Sequence, residues 1–405
     1  MRILRINCLS EPAGGVERYI YEADRFLVNL GHKVITVEIN STKKPGNVDL
    51  TEHLYVNDHP LYRFFRDITT DVSVLSHLMS VHEKFKPDII HLHHFRVSFM
   101  AVAKFINAVS TPCIYTSHDA QLVCPIATLV LPDGTICEGG IKTRCIFTGC
   151  QTGPGVPYEI YRVHVFNKLV KGRISAYVCP SNAIKNYMEK FGYTPAIVIG
   201  SLTNIDINST EKLDLPKGNT IGFLGRIDRH KGLQYLIDAV SLVKNDIPDI
   251  HLEIAGEGDF LDVVKNRVNK LNLQQNVSFL GQLPREAHRE FFSSIKFLVI
   301  PSIMIENRIF TAQESFAYGR TVVASDVGGI PEIVQNGING VLVKPTNVEE
   351  LASKIEMLLS DETLLIKYSD NAFKSIVEMI KNESGMERIV DIYEKVIKSA
   401  PGKLM

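Results

Sequence analysis

Two glutamates, Glu306 and Glu314, stand with seven residues between them within PSIMIENRIFTAQESFAYGRTVVASDVGGIPEIV (301–334). An apolar strand pattern, Phe297 to Ile300, runs into Pro301 and a short acidic turn, and a helical pattern follows around Thr311 to Tyr318. Glu306 therefore falls in the loop before a helix and Glu314 on the helix itself. The unpaired N–H groups and the positive dipole end between them suit an anion. Carboxylates accept hydrogen bonds from hydroxyl groups. The pattern thus suits a ligand that carries both phosphate and hydroxyls, although a Glu pair taken alone is more often a loop charge and a surface helix residue.

Other groups sit at comparable places. Gly225-Arg226-Ile227-Asp228-Arg229-His230-Lys231-Gly232 follows a strand and precedes a helix. Arg226 can grip phosphate oxygens bidentately and Lys231 adds a mobile positive charge, so together they can neutralise a diphosphate. Alone, the octapeptide reads as a basic surface loop, with Arg229 and His230 facing solvent. Gly14-Gly15 with Glu17 opens the first helix and could present amides to an anion, but its spacing is not the six-position dinucleotide fingerprint. His118-Asp119 ends the strand Ile114 to Thr116 at its carboxyl end, where ligands sit in open α/β sheets. A second histidine group, His91, His93 and His94, ends another strand. With no carboxylate or thiol beside it, this group reads as the lining of a polar cleft rather than a metal site.

The segment 301–334 resembles the donor-binding motif of the retaining glycosyltransferases of family 4. The resemblance is carried by Pro301-Ser302, Glu306-Asn307, Glu314, Val323-Ala324-Ser325 and Gly328-Gly329-Ile330-Pro331-Glu332. The loop 225–232 is similar to the family's Gly-Arg-x-x-x-x-Lys-Gly, and Thr116-Ser117-His118-Asp119 followed by Cys124-Pro125 to its active-site histidine region. The chain departs from the family at Arg308-Ile309-Phe310-Thr311, beside the sugar site, and at Thr321, where a proline is usual. The resemblance implies a GT-B architecture: an α/β chain of two Rossmann-like, doubly wound domains facing an interdomain cleft. It implies donor binding by Gly14, Gly15, Arg226, Lys231, Glu306, Asn307, Thr311 and Glu314. It gives catalytic positions to His118 and Glu306, and an acceptor side to His94 and Glu17.

The elements that must position these residues fall into two series. Arg2 to Asn7, Glu17 to Leu30 and Lys33 to Ile39 read as strand, helix and strand, with further strands at Ile89 to Leu92, Cys113 to Thr116 and Ala176 to Cys179. The pattern restarts with a strand at Thr220 to Leu224 and a helix at Leu233 to Val243, followed by strands at His251 to Ala255, Asn276 to Leu280 and Phe297 to Ile300. We therefore expect an acceptor-binding domain over 1–200, with a Cys-rich insertion at 121–157, and a donor-binding domain over 201–385. The boundary falls in the polar stretch 199–219. An amphipathic helix over 386–405 carries Ile389, Ile392, Tyr393 and Val396 at helical spacing, and by resemblance returns to the first domain.

At 405 residues the chain suits two domains, and its formal net charge of −1 gives no pull toward nucleic acid. Residues 1–200 carry 21 Lys/Arg against 17 Asp/Glu and residues 201–405 carry 23 against 28, so the first half is mildly basic. No stretch reaches 18 apolar residues and the start MRILRINCLS turns polar early, so a cytoplasmic protein is expected, and a lipid-linked acceptor would bring it to the inner face of the membrane. Cys124, Cys137, Cys145 and Cys150 fall within 27 residues. Two readings of that cluster stay open: a structural zinc or iron–sulfur site, or small buried apolar residues. No Asp-x-Asp triplet occurs, so no catalytic metal is expected.

The expected reaction moves a sugar from a nucleotide-diphosphate sugar to a hydroxyl of a carbohydrate or lipid-linked acceptor, as in polysaccharide, glycolipid or glycoconjugate synthesis. A sugar-nucleotide epimerase of the same fold, or a non-catalytic sugar-nucleotide-binding protein, would keep the same phosphate loops. A dehydrogenase would need the missing glycine fingerprint.

Overall fold

The computed structural model describes residues 1–8, 15–40, 51–55, 69–150, 155–200, 211–307, 309–382 and 385–400. Gly14, Arg308 and residues 201–210 of the expected boundary stretch lie outside the described residues, as does the side chain of Glu17. Two compact units are present.

The first unit comprises Met1–Ala127, Gly139–Asn204 and Ser384–Met405. Its sheet is wholly parallel, built from β1 (Arg2–Cys8), β2 (Lys33–Asn40), β3 (Thr51–Tyr55), β4 (Ile89–Phe95), β5 (Cys113–Thr116), β6 (Ile174–Cys179) and β7 (Ala196–Val198) in the order β3-β2-β1-β4-β5-β6-β7. Strands β1, β4 and β5 are buried along nearly their whole length, as parallel strands covered on both faces must be. Chain order reverses between β1 and β4, and that switch point is where an open α/β sheet leaves a crevice at its carboxyl edge. The helix Gly385–Ser399 buries Ile389, Ile392, Tyr393 and Val396 against Ile3, Ile20, Leu27, Val34 and Ile89 within this unit.

The second unit comprises Thr128–Glu138 and Ile205–Glu383. Its parallel sheet, β8 (Thr220–Leu224), β9 (His251–Ala255), β10 (Val277–Gly281), β11 (Leu298–Ile300), β12 (Val322–Ser325) and β13 (Gly340–Val343), has the order β10-β9-β8-β11-β12-β13. The switch point therefore lies between β8 and β11. Residues 128–138 lie inside the insertion that the sequence assigns to the first domain, yet group with this unit. Arg229 donates to the Pro132 carbonyl at 2.6 Å and the Ile305 N–H to the Thr128 carbonyl at 3.3 Å.

Strands β3, β7 and β13 are absent from the sequence reading. Each has five residues or fewer and closes a sheet edge with a single neighbour, too short a run to show periodicity against its flanks.

Candidate active site

In the second unit three loops leave the carboxyl ends of β8, β11 and β12. All face the same edge because the strands are parallel. The β8 loop carries Arg226 and Lys231, the β11 loop Glu306, and the β12 loop Gly328-Gly329. Backbone contacts lock them together: Ile303 N–H donates to the His230 carbonyl at 2.9 Å, and Gly329 N–H to the Glu306 carbonyl at 2.7 Å. Two glycines allow this approach. Gly232 has φ +75°, and a Cβ there would lie 1.8 Å from the Pro301 carbonyl oxygen. Gly328 has φ +60°, and a Cβ would lie 2.5 Å from the Glu306 carbonyl oxygen. Replacing Gly232 by Ala forces the β8 and β11 loops apart as well as straining a left-handed residue. A loss of about 2 kcal/mol of stability and of nucleotide affinity is expected, read by thermal melting and by titration with UDP.

Lys231 is the cation at the centre. Its Nζ lies 2.6 Å from Glu306 Oε1, which also accepts from Ser302 Oγ at 2.5 Å. Burial pushes the Glu306 carboxyl up, but Lys231, Ser302 and His230 outweigh it and hold the group below the usual carboxylate range. Glu306 therefore stays ionised, and Lys231 is held as its counter-ion. Arg226 is 71% exposed and paired with Asp228 at 2.8 Å, so its guanidinium reaches outward at the loop tip. His230, expected to face solvent beside Arg229, is instead largely covered and lies 3.7 Å from Asp228. Burial and Lys231 lower its pKa.

The β11 loop runs directly into the helix Phe310–Ala317. Its N-cap residue, Ile309, offers no side-chain acceptor, so the first-turn amides around Thr311 keep no cap of the usual kind. Asn307 lies in the same loop, half-buried. Glu314, on the next turn, is bound by His288 Nδ1 at 2.8 Å. His288 escaped the sequence reading: it lies 26 residues from Glu314, on a separate short helix, His288–Ser294. The β9 and β10 turns are tied by Gly256 N–H donating to the Gly281 carbonyl at 2.7 Å.

In the first unit the carboxyl edge at the switch point is occupied by imidazoles. His93 Nδ1 lies 2.8 Å from His118 Nε2, and both His93 and His94 stack on the His118 ring with centroids 5.1 Å away. His94 Nδ1 meets Asn7 Oδ1 at 3.1 Å, and His91 bridges Tyr393 and Thr116 at 2.6 Å each. Asp119 turns away to accept the Gln121 N–H at 2.8 Å and to meet Arg96 at 3.5 Å. Burial, reinforced by neighbouring cations and imidazoles, lowers all four histidines, and His94 is pushed down to about 3. Gly15 opens the helix Gly15–Asn29 behind this edge.

Among the described residues no group of three or more His, Cys, Asp or Glu side chains is placed to hold a metal ion. Cys124 is buried, Cys137 belongs to the segment that groups with the second unit, Cys145 Sγ is turned to the Gly140 carbonyl at 3.9 Å, and no disulfide links any of them. Among the described residues no helix is long and apolar enough to cross a membrane.

Comparison with known proteins agrees with this arrangement. The family described as Glycosyltransferase Family 4 matches residues 13–200, and Glycosyl transferases group 1 matches residues 206–375. A Methanocaldococcus jannaschii protein named as an uncharacterized glycosyltransferase is 30% identical over 191 residues, 47% of each chain. A second from that organism is 25% identical over 396 residues, covering 98% of this chain and 99% of that one. Among solved structures, sucrose-phosphate synthase from Thermosynechococcus elongatus superposes with a TM-score of 0.76 at 19% identity, covering 98% and 99% of the two chains. Anabaena HepE in complex with UDP-glucose gives 0.71 at 18% identity, covering 98% and 100%. The two family matches, one on each doubly wound unit and together spanning most of the chain, place it in glycosyltransferase family 4, with the GT-B fold.

Proposed function

We propose that the chain transfers a glycosyl group from a nucleoside-diphosphate sugar to an acceptor hydroxyl, with retention of anomeric configuration and without a catalytic metal. The observation that carries this reading is the Lys231–Glu306 pair at the switch-point edge, one loop away from an uncapped helix N-terminus. When the C1–O bond to the diphosphate breaks, charge grows on the leaving oxygens. Lys231, Arg226 and the first amides of the helix Phe310–Ala317 supply fixed positive potential there. Glu306 holds Lys231 in place, and Glu314, steadied by His288, accepts hydrogen bonds from ribose hydroxyls. The acceptor hydroxyl adds to C1 on the face the diphosphate leaves, and its proton passes to the departing phosphate oxygen. No protein nucleophile is required. His118, in the first unit, is the proposed hydrogen-bonding group toward a sugar hydroxyl.

Structures of HepE hold UDP and UDP-glucose, which makes UDP-glucose the first donor to try. Proton NMR of the product formed from UDP-glucose and a carbohydrate acceptor tests the stereochemistry. An α-linked product is expected, and a β-linked product would overturn retention.

A further inference from the structure

Arg5 is fully buried, and so is its partner Asp24. Burying an ion pair is seldom the most stabilising choice, since well-packed apolar side chains of similar volume often do as well or better. This pair points somewhere. Asp24 is held at both oxygens, by Thr36 Oγ1 at 2.6 Å and by Arg5 Nη1 at 2.6 Å. Arg5 Nη1 also donates to the Ile20 carbonyl at 3.2 Å. On the other side of the guanidinium, Arg5 Nε at 3.0 Å and Nη2 at 2.9 Å both meet His93 Nε2. His93 Nδ1 in turn meets His118 Nε2.

The proton positions follow from valence. A guanidinium only donates, so His93 Nε2 accepts and carries no proton. Neutral His93 then bears its proton on Nδ1 and donates it to His118 Nε2. His118 Nε2 is an acceptor, which leaves the proton of neutral His118 on Nδ1. We propose that the series Thr36, Asp24, Arg5, His93 is a buried positioning relay that fixes His118 as the Nδ1–H tautomer, so that it meets the sugar as a neutral hydrogen-bond donor through Nδ1. Asp24 orients the guanidinium, the guanidinium sets the polarity of His93, and His93 sets that of His118. Neither Arg5 nor His93 need touch the substrate. A guanidinium on one ring and a second imidazole on the other also disfavour an imidazolium, so the site gives a hydrogen bond without offering a cation that a departing diphosphate could capture.

The role of His118 rests on the proposed transfer reaction, whereas the tautomer does not, and the test separates them. Nitrogen-15 NMR of histidine-labelled full-length protein at pH 7, with His118 assigned by its loss in His118→Gln, reads the ring directly and needs no substrate. Protonated Nδ1 with bare Nε2 is expected. Protonated Nε2, or an imidazolium, overturns the relay. The second arm is functional. In His93→Gln the side-chain carbonyl can accept from Arg5 and the amide can donate to His118, which preserves the polarity, whereas His93→Leu cannot do either. His93→Leu should lower kcat about tenfold to a hundredfold with UDP affinity within about twofold of wild type, and His93→Gln should recover most of it. Full activity in folded His93→Leu, or equal inactivity of folded His93→Gln, overturns the positioning role. Absence of any UDP binding by the wild type would instead tell against the donor-site assignment and leave the NMR result standing.

Discussion

Lys231→Ala is expected to lower kcat/KM for transfer by about 10²-fold or more, because it removes the more enclosed of the two cations, Lys231 and Arg226, assigned to the proposed diphosphate site. Arg226 cannot compensate. Its side chain is largely exposed and engaged with Asp228, and a screened surface charge does less than one held at 2.6 Å against a buried carboxylate. The loss should appear in kcat as well as in KM, since the charge on the leaving oxygens is greater in the transition state than in the bound donor. Removing Lys231 also strands Glu306 without its counter-ion. A companion variant with the charge pair deleted together, Lys231→Met with Glu306→Gln, should regain stability in a melting experiment without regaining activity. Lys231→Ala with wild-type kcat/KM would remove the residue from the chemistry.

Acidification should unfold the first unit well before ordinary carboxylate titration begins. His91, His93, His94 and His118 are all held neutral, chiefly by burial. In the unfolded chain each binds a proton near its ordinary pKa of about 6.5. Folded values lie below unfolded ones, so below about pH 6.5 the unfolded state binds more protons and stability falls as pH falls. Each histidine contributes up to about 1.4 kcal/mol per pH unit, and four together roughly 5 kcal/mol per unit. Against a typical domain stability of about 5–15 kcal/mol, one to two units of acidification is decisive. Thermal melts from pH 7.5 to 5 should show the steep loss, and hydrogen exchange should assign it to β1, β4 and β5. A flat profile over that range would mean that the imidazoles are reached by water or carry charge in the fold.

The candidate positions were legible because they follow strands. Lys231 and Glu306 each come a few residues after an apolar run of the second unit's sheet and His118 after one of the first unit's, and a parallel sheet puts every such position on its own carboxyl edge. What the sequence concealed depends on pairing across the fold. In RILRINC, Arg5 looks like the outward charge of a half-exposed strand, yet β1 is covered on both faces, so alternation carries no information there. His93 reads as one of three equivalent histidines until the guanidinium singles it out. His288 has no local motif at all and acquires a role only because the chain brings it to Glu314.

The most direct test of the central claim, that fixed protein charges hold the diphosphate, is calorimetric titration of the full chain with UDP in excess EDTA. Binding should persist undiminished in the wild type and fall at least about tenfold in Lys231→Ala. Binding that vanishes with EDTA, or that is equally tight in Lys231→Ala, would contradict it.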